Sequence, residues 1–309
     1  MVKVDLITGF LGAGKTTFLH YYVKYLKRQN LKLCILENDY GAINIDMMLL
    51  RDLEDENCAI EMVSGGCDAT CHQRRFKTKL IAMGMQKYDR VIIEPSGIFD
   101  IDEFFDTLYE EPLSNWYEIG NIFTIVDAHI NITDNDMKYI LASEISCCGK
   151  ALVSKLDYGC DLNLLKNNLN EALNYIGNND KIDGRLYAKK WNEMTDEDFK
   201  CLMQSGYRSA SYVKRPIRGF SSLFFMNNGF NLEELKKISR ELFSNKNYGN
   251  VLRLKGFYLY NGSWYLINAT REEITNEKLD LGQDVVIVIG SSLATDRINK
   301  LIEEYKLVK

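Results

Sequence analysis

Residues 9–16, Gly-Phe-Leu-Gly-Ala-Gly-Lys-Thr, constrain this chain more than any other stretch. They satisfy the pattern G-x-x-x-x-G-K-[ST] at every fixed position. The apolar run Val2–Ile7 before them reads as a strand, and Thr17–Arg28 after them as a helix. A strand, a glycine-rich turn and a helix in that order aim consecutive backbone N–H groups at an anion lying on the helix N-terminus. The glycines let the main chain close round a phosphate with no Cβ in the way. The expected phosphate contacts are Gly9, Gly12, Ala13, Gly14, Lys15, Thr16 and Thr17. Lys15 supplies a cation for the β- and γ-phosphates, and the Thr16 hydroxyl is a candidate Mg²⁺ ligand.

The first half of the chain alternates apolar runs with helical stretches. After Val2–Ile7, further strands are expected at Leu31–Leu36, Ala59–Val63, Arg90–Glu94, Asn121–Val126 and Lys150–Val153. Helical stretches such as Gln73–Met85 and Ile101–Leu108 lie between them. This predicts an α/β fold with a mostly parallel sheet flanked by helices. In such a sheet ligands gather at the carboxyl ends of the strands. The pattern changes after about residue 205: residues 206–222, polar and holding Gly206, Pro216 and Gly219, read as a linker. A helix at Leu232–Phe243, strands at Asn250–Tyr260, Ser263–Ala269 and Asp284–Ile289, and a helix from about Ala294 to Tyr305 then predict a small α+β domain over residues 223–309. The phosphate-loop domain is accordingly expected over residues 1–205.

The length of 309 residues suits two domains, and 46% apolar residues suffice for two cores. A net charge of −5 gives no basic field for nucleic acid or an anionic membrane, so neither is expected as a partner. No stretch approaches the roughly 20 apolar residues of a membrane span. Met1 leads directly into the first strand, so a cytoplasmic location without a signal peptide is expected. The eight cysteines then read as thiols or metal ligands, not disulfides.

Three further segments fall at strand ends. Glu94 closes a strand and is followed by Pro95-Ser96-Gly97. An acidic side chain in that place polarises the Mg²⁺ shell or positions the attacking water, and Gly97 would let a backbone N–H approach the γ-phosphate. Ser154-Lys155-Leu156-Asp157 follows the sixth strand and resembles the base-reading pattern N-K-x-D. The Asp157 carboxylate can accept from the N1–H and exocyclic amine of guanine, which adenine does not present. The Lys155 stem can lie over the base plane, while Ser154 replaces the Asn of the strict pattern. Glu37-Asn38-Asp39-Tyr40-Gly41 follows the second strand, where carboxylates can approach Mg²⁺ or the γ-phosphate as a nucleotide-sensing switch. A turn held by Asn and Asp side chains is the alternative there.

Gly65-Gly66-Cys67-Asp68-Ala69-Thr70-Cys71-His72 follows the third strand. Two thiols and an imidazole this close favour a soft divalent metal such as Zn²⁺ or Co²⁺, with Cys67, Cys71 and His72 as candidate ligands. A fourth ligand would be water, Asp68, Glu37 or a partner's side chain. Two ordinary thiols beside a turn are the alternative reading.

Together these pieces resemble the CobW-type metallochaperone GTPases, of the SIMIBI class that also holds the HypB and UreG types. The resemblance rests on G-F-L-G-A-G-K-T-T at 9–17, E-N-D-Y-G at 37–41 with Ile45-Asp46, and G-G-C at 65–67. It continues through E-P-S-G at 94–97, V-D-A at 126–128, S-K-L-D at 154–157 and L-R-L-K-G-F at 252–257. It implies slow GTP hydrolysis coupled to metal delivery or to maturation of a metal or corrinoid enzyme. Carried over, Lys15, Asp39 and Glu94 are the catalytic set, Thr16 and Glu94 serve Mg²⁺, and Asp157 reads guanine. Cys67 matches the first cysteine of the family's C-x-C-C motif, but Cys71 follows at a wider spacing. Ala42 stands where an acidic residue is common, and no His-rich stretch is present.

The sequence thus predicts a two-domain GTPase with GTP and a client metalloprotein or corrinoid protein as partners; a homodimer is also compatible with it. The rivals are an ATP-dependent phosphoryl-transfer enzyme, against which Asp157 argues, and a nucleotide-gated binding module with negligible turnover.

Overall fold

Residues 2–8 are a strand because the run Val-Lys-Val-Asp-Leu-Ile-Thr carries β-branched and apolar side chains on both faces. In the computed structural model of the chain this strand, β1 (Val2–Thr8), is central to a seven-stranded sheet. The structure describes residues 1–39, 49–64, 69–97, 99, 101–132, 134–210, 220–271, 273–280 and 282–307. Two compact units are present, Met1–Pro216 and Ile217–Lys309.

In the first unit β1 leads through the phosphate loop into α1 (Lys15–Lys27), then β2 (Leu33–Asp39), β3 (Cys58–Ser64), α2 (Ala69–Gly84) and β4 (Arg90–Pro95). The chain continues with α3 (Ile101–Tyr109), α4 (Leu113–Trp116), β5 (Tyr117–Asp127), α5 (Asn135–Cys147) and β6 (Lys150–Ser154). It ends with α6 (Leu162–Tyr175), β7 (Leu186–Tyr187) and α7 (Asp196–Leu202). The strand order is β3-β2-β4-β1-β5-β6-β7, and every pairing is parallel. The winding reverses beside β1, with β4 on one side and β5 on the other, which opens a crevice at its carboxyl end. That crevice is where Gly9 begins.

Period-two alternation sends side chains of each central strand into two cores. Val4 and Leu6 of β1, Val91 and Ile93 of β4, and Ile122 and Val126 of β5 pack with Phe76, Phe104, Leu141 and Leu169 from α2, α3, α5 and α6. Ile7, Ile92, Phe123 and Ile125 pack on the other face with Phe18, Leu19, Tyr22 and Leu26 of α1 and Phe199 of α7. Each such large side chain taken fully out of water contributes roughly 1.5–3 kcal/mol, so α1 is held by its buried stripe. A buried polar cluster centred on Asp5 interrupts this layer. Asp5, fully buried, accepts from the Tyr22 hydroxyl at 2.7 Å, the Asn121 amide N–H at 2.8 Å and the Arg90 guanidinium, tying β1, α1, β5 and β4 together.

The stretch expected as a linker holds structure at both ends. Gly206 N–H donates to Asn121 Oδ1 and Arg208 N–H to the Cys147 carbonyl, so residues 206–208 extend the first unit. The second unit opens with β8 (Phe220–Met226); residues 211–219 lie outside the described residues. The second unit continues with α8 (Leu232–Ser244), β9 (Asn250–Tyr260), β10 (Ser263–Ala269), β11 (Ile274–Leu279), β12 (Val285–Ser291) and α9 (Thr295–Leu307). Its sheet, in the order β11-β10-β9-β12-β8, is antiparallel throughout. Leu235, Ile238 and Leu242 of α8 and Ile298 and Leu301 of α9 cover one core with Val251, Leu254, Val286 and Val288. No described helix is long and apolar enough to cross a membrane.

Candidate nucleotide-binding site

The loop after β1 turns through three left-handed glycines: φ is 142° at Gly9, 74° at Gly12 and 94° at Gly14. Gly9 is required twice over, since a Cβ there would lie 2.3 Å from the Ile125 carbonyl oxygen. The Ala13 N–H donates to the Phe10 carbonyl at 3.1 Å, closing the turn. Helix α1 starts two residues earlier than the pattern suggests, at Lys15, and its preceding residue Gly14 has no side chain to cap it. No acidic residue sits in its first turn, so the positive helix end faces the loop unopposed by a carboxylate of its own. Lys15 is 8% exposed, and its ammonium donates to the Gly9 carbonyl at 2.9 Å, spanning the loop that a phosphate would fill.

Thr16 and Glu94 meet across this crevice. The Thr16 hydroxyl donates to Glu94 Oε1 at 2.8 Å. Glu94 is 5% exposed at the end of β4, and its strand partner in register is Glu37 of β2, itself buried. A hydroxyl and a carboxylate side by side are hard oxygen donors of the kind Mg²⁺ takes, so the donor set fits that ion. Asp39 ends β2 opposite Ser64 of β3, at the same edge. Gly97 closes against the phosphate loop: a Cβ there would lie 2.5 Å from the Leu11 amide nitrogen. Its lack of a side chain thus serves close approach to the loop's own backbone.

A buried carboxyl stands behind the loop. Glu144 of α5 is fully buried, and its Oε1 accepts from the Thr8 hydroxyl at 2.6 Å. Burial pushes this carboxyl up to about 7, against the opposing pull of the Thr8 hydroxyl, the Lys15 cation and the Gly9 amide. The sequence held no signal for it, because Ala-Ser-Glu-Ile-Ser reads as an ordinary stretch until the helix is packed on β1 and β5.

A cleft of about 250 Å³ lies on the other side of the loop, lined by Thr17, Tyr21, Ser154, Lys155, Asp157 and Lys190 among others. Ser154 is 3% exposed and donates to the Val126 carbonyl at 3.3 Å. Lys155 takes a left-handed backbone, φ 56°, and its ammonium lies 2.8 Å from Asp127 Oδ2, which sets its stem along the cleft wall. Asp157 is exposed, with Lys190 Nζ 2.6 Å from its Oδ1. Lys190, Trp191 and Asn192 complete the lining. No sequence pattern marks these three as ligands: the loop after β7 carries no motif, only an aromatic residue next to a cation.

The cysteine segment is brought together less. Cys67 lies outside the described residues. Cys71 and His72 lie in the first turn of α2, where neighbours in sequence point about 100° apart. Cys71 is half-buried; His72 is fully buried, its Nδ1 3.9 Å from Glu103 Oε1 of α3. Among the described residues no group of three or more His, Cys, Asp and Glu side chains converges on a metal position.

A phosphate loop at the switch point of a parallel sheet, with an acidic strand end facing its Thr, defines a phosphate-loop nucleotide-binding protein. Residues 3–182 match the model of the CobW/HypB/UreG nucleotide-binding domain, and the chain belongs to that family. Among curated proteins it is 26% identical over 164 residues to the zinc chaperone YjiA of Escherichia coli, covering 50% of each chain. It is 30% identical over 131 residues to the zinc chaperone YeiR of the same organism, covering 42% of this chain and 39% of that one. The match thus spans about half the length, or less, of these relatives. Among solved structures, Zn(II)-bound YjiA GTPase from E. coli is similar over 98% of both chains, with a TM-score of 0.42 and 19% identity.

Proposed function

We propose that this chain binds and hydrolyses GTP with Mg²⁺ and couples the nucleotide state to delivery of a metal, or to maturation of a metal or corrinoid enzyme. The observation that carries the reading is the Thr16–Glu94 contact at 2.8 Å over a loop whose far side opens on the Asp157 cleft. Phosphates and base would occupy the two sides of one loop.

In this reading Lys15 exchanges the Gly9 carbonyl for β- and γ-phosphate oxygens, and the loop amides from Gly12 to Thr17 hold the phosphate chain. Thr16 and Glu94 would hold Mg²⁺, which would supply neutralisation of negative charge at the phosphate oxygens. Glu94, and Asp39 at the neighbouring strand end, orient the attacking water. Asp157 accepts from the guanine N1–H and 2-amino group beside the Lys155 stem. Family membership and the zinc chaperone names of the relatives support the metal arm. Its ligands would be Cys67 and Cys71, with Zn²⁺ or Co²⁺ as cargo. His72, turned to Glu103, serves better as a packing residue at the helix interface.

Steady-state phosphate release from GTP and from ATP, with and without Mg²⁺, tests the hydrolase arm: Mg²⁺-dependent turnover of GTP is expected, and ATP turnover at an equal or higher rate would contradict it. Titration of Zn²⁺ or Co²⁺ into the wild type and Cys67→Ala/Cys71→Ala tests the metal arm; unchanged affinity in the double variant removes it.

A further inference from the structure

Two segments distant in sequence meet at the cleft: Ser154–Asp157 after β6 and Lys190–Asn192 after β7. The second is fixed in place. Trp191 packs its ring 5.2 Å from that of Phe18 in α1, and Glu193 N–H donates to the Lys190 carbonyl at 3.0 Å. Lys190 therefore sits on a braced turn, with its ammonium 2.6 Å from Asp157 Oδ1. An exposed ion pair of this kind stabilises a fold very little, so stability alone gives it no purpose. The neighbouring polar groups are committed elsewhere, the Ser154 hydroxyl to the Val126 carbonyl and the Lys155 ammonium to Asp127.

A guanine edge presents three groups in line: the O6 acceptor, the N1–H donor and the 2-amino donor. A lone carboxylate can satisfy the two donors and leaves O6 without a partner. A cation seated on the carboxylate oxygen that takes N1–H lies next to O6. We propose that Lys190 is a specificity-determining residue whose ammonium, held on Asp157, donates to purine O6 while Asp157 accepts from N1–H and the 2-amino group. This rests on the guanine reading of the cleft given above. The pair then reads the whole edge, in a chain where Ser154 lacks the amide of the strict motif. Adenine meets a donor against its 6-amino group and an acceptor against N1, so it is rejected at two points. Covering the pair with a base also removes water from it, which strengthens each charge-assisted hydrogen bond.

The test is competition binding of GTP, 6-thio-GTP and ATP to the wild type, Lys190→Met and Lys190→Arg, with melting temperatures as a folding check. In 6-thio-GTP only O6 changes, to a poor acceptor, while N1–H and the 2-amino group remain. The wild type should prefer GTP over 6-thio-GTP by about tenfold or more, as for a hydrogen bond to a charged group. Lys190→Met should lose that factor for GTP and little for 6-thio-GTP, and Lys190→Arg should keep most of the preference. Equal losses for both nucleotides in Lys190→Met, or no loss, overturn the role of Lys190. ATP binding to the wild type as tightly as GTP overturns the guanine reading itself. GTP strongly preferred over ATP with an unchanged 6-thio-GTP ratio in Lys190→Met leaves that reading standing and removes only Lys190.

Discussion

The Thr8 hydroxyl donates to Glu144 Oε1 at 2.6 Å, joining the last residue of β1 to helix α5 behind the phosphate loop. Burial raises the Glu144 carboxyl from its ordinary 4.5 to about 7. A carboxyl with a raised folded-state value holds its proton more tightly in the folded chain than in the unfolded one. Its contribution to stability is therefore full below about pH 4.5 and is lost as pH rises through about 7. Glu144→Gln keeps the neutral shape and removes the titration. Relative to the wild type, the variant should gain up to about 3 kcal/mol in unfolding free energy between about pH 5 and pH 8, measured by denaturant melts. A difference constant across that range would contradict the argument.

Thr16 and Glu94 are expected to act as one unit. Thr16→Ala removes the hydroxyl that donates to Glu94 at 2.8 Å, and Glu94→Gln removes the charge. Each should lower Mg²⁺-dependent GTP turnover by about a hundredfold or more, and the double variant should lose little beyond the worse single one. Losses that multiply would mean the two residues act separately.

Gly97 tests the close approach to the phosphate loop. A methyl group 2.5 Å from the Leu11 amide nitrogen must push the loop or its own strand end aside. Gly97→Ala should weaken nucleotide binding about tenfold or more by titration calorimetry, with a smaller cost in melting temperature. Full affinity in the variant would show that the loop yields freely.

Asp5 is the group on which the buried polar layer depends. Asp5→Leu leaves the Arg90 guanidinium, 5% exposed, without its carboxylate and strips partners from Tyr22 and Asn121. Stability should fall by about 3–5 kcal/mol, and Asp5→Leu/Arg90→Met should recover part of it. A loss under about 1 kcal/mol in the single variant would contradict the network.

Local signals made much of this legible in advance. The strand–loop–helix around Gly9–Thr16 is readable because glycines, Lys and Thr stand at fixed offsets between an apolar run and a helical one. The strands of the parallel sheet read as continuous apolar runs, since both faces are covered. Other elements leave no periodic trace. Helix α5 is buried from Met137 and from Tyr139 to Cys147, so no polar stripe marks it. Strand β11, Ile-Thr-Asn-Glu-Lys-Leu, lies at a sheet edge with its middle exposed, and lacks the alternation that betrays a half-buried strand. At the cleft, Ser154, Lys155 and Asp157 come from one local segment, so their proximity is legible in the sequence. Lys190 reaches the cleft, and Glu144 the back of the phosphate loop, by packing of segments far along the chain, which no local pattern encodes.

In the proposed function the loop at 9–16 grips a guanosine triphosphate whose base lies against Asp157. Titration calorimetry of the purified chain with a non-hydrolysable GTP analogue and its ATP counterpart, in Mg²⁺, tests it most directly. Stoichiometric binding of the GTP analogue is expected, with the ATP analogue at least about tenfold weaker and that gap abolished in Asp157→Ala. No heat with either nucleotide, or a preference for ATP, would contradict it.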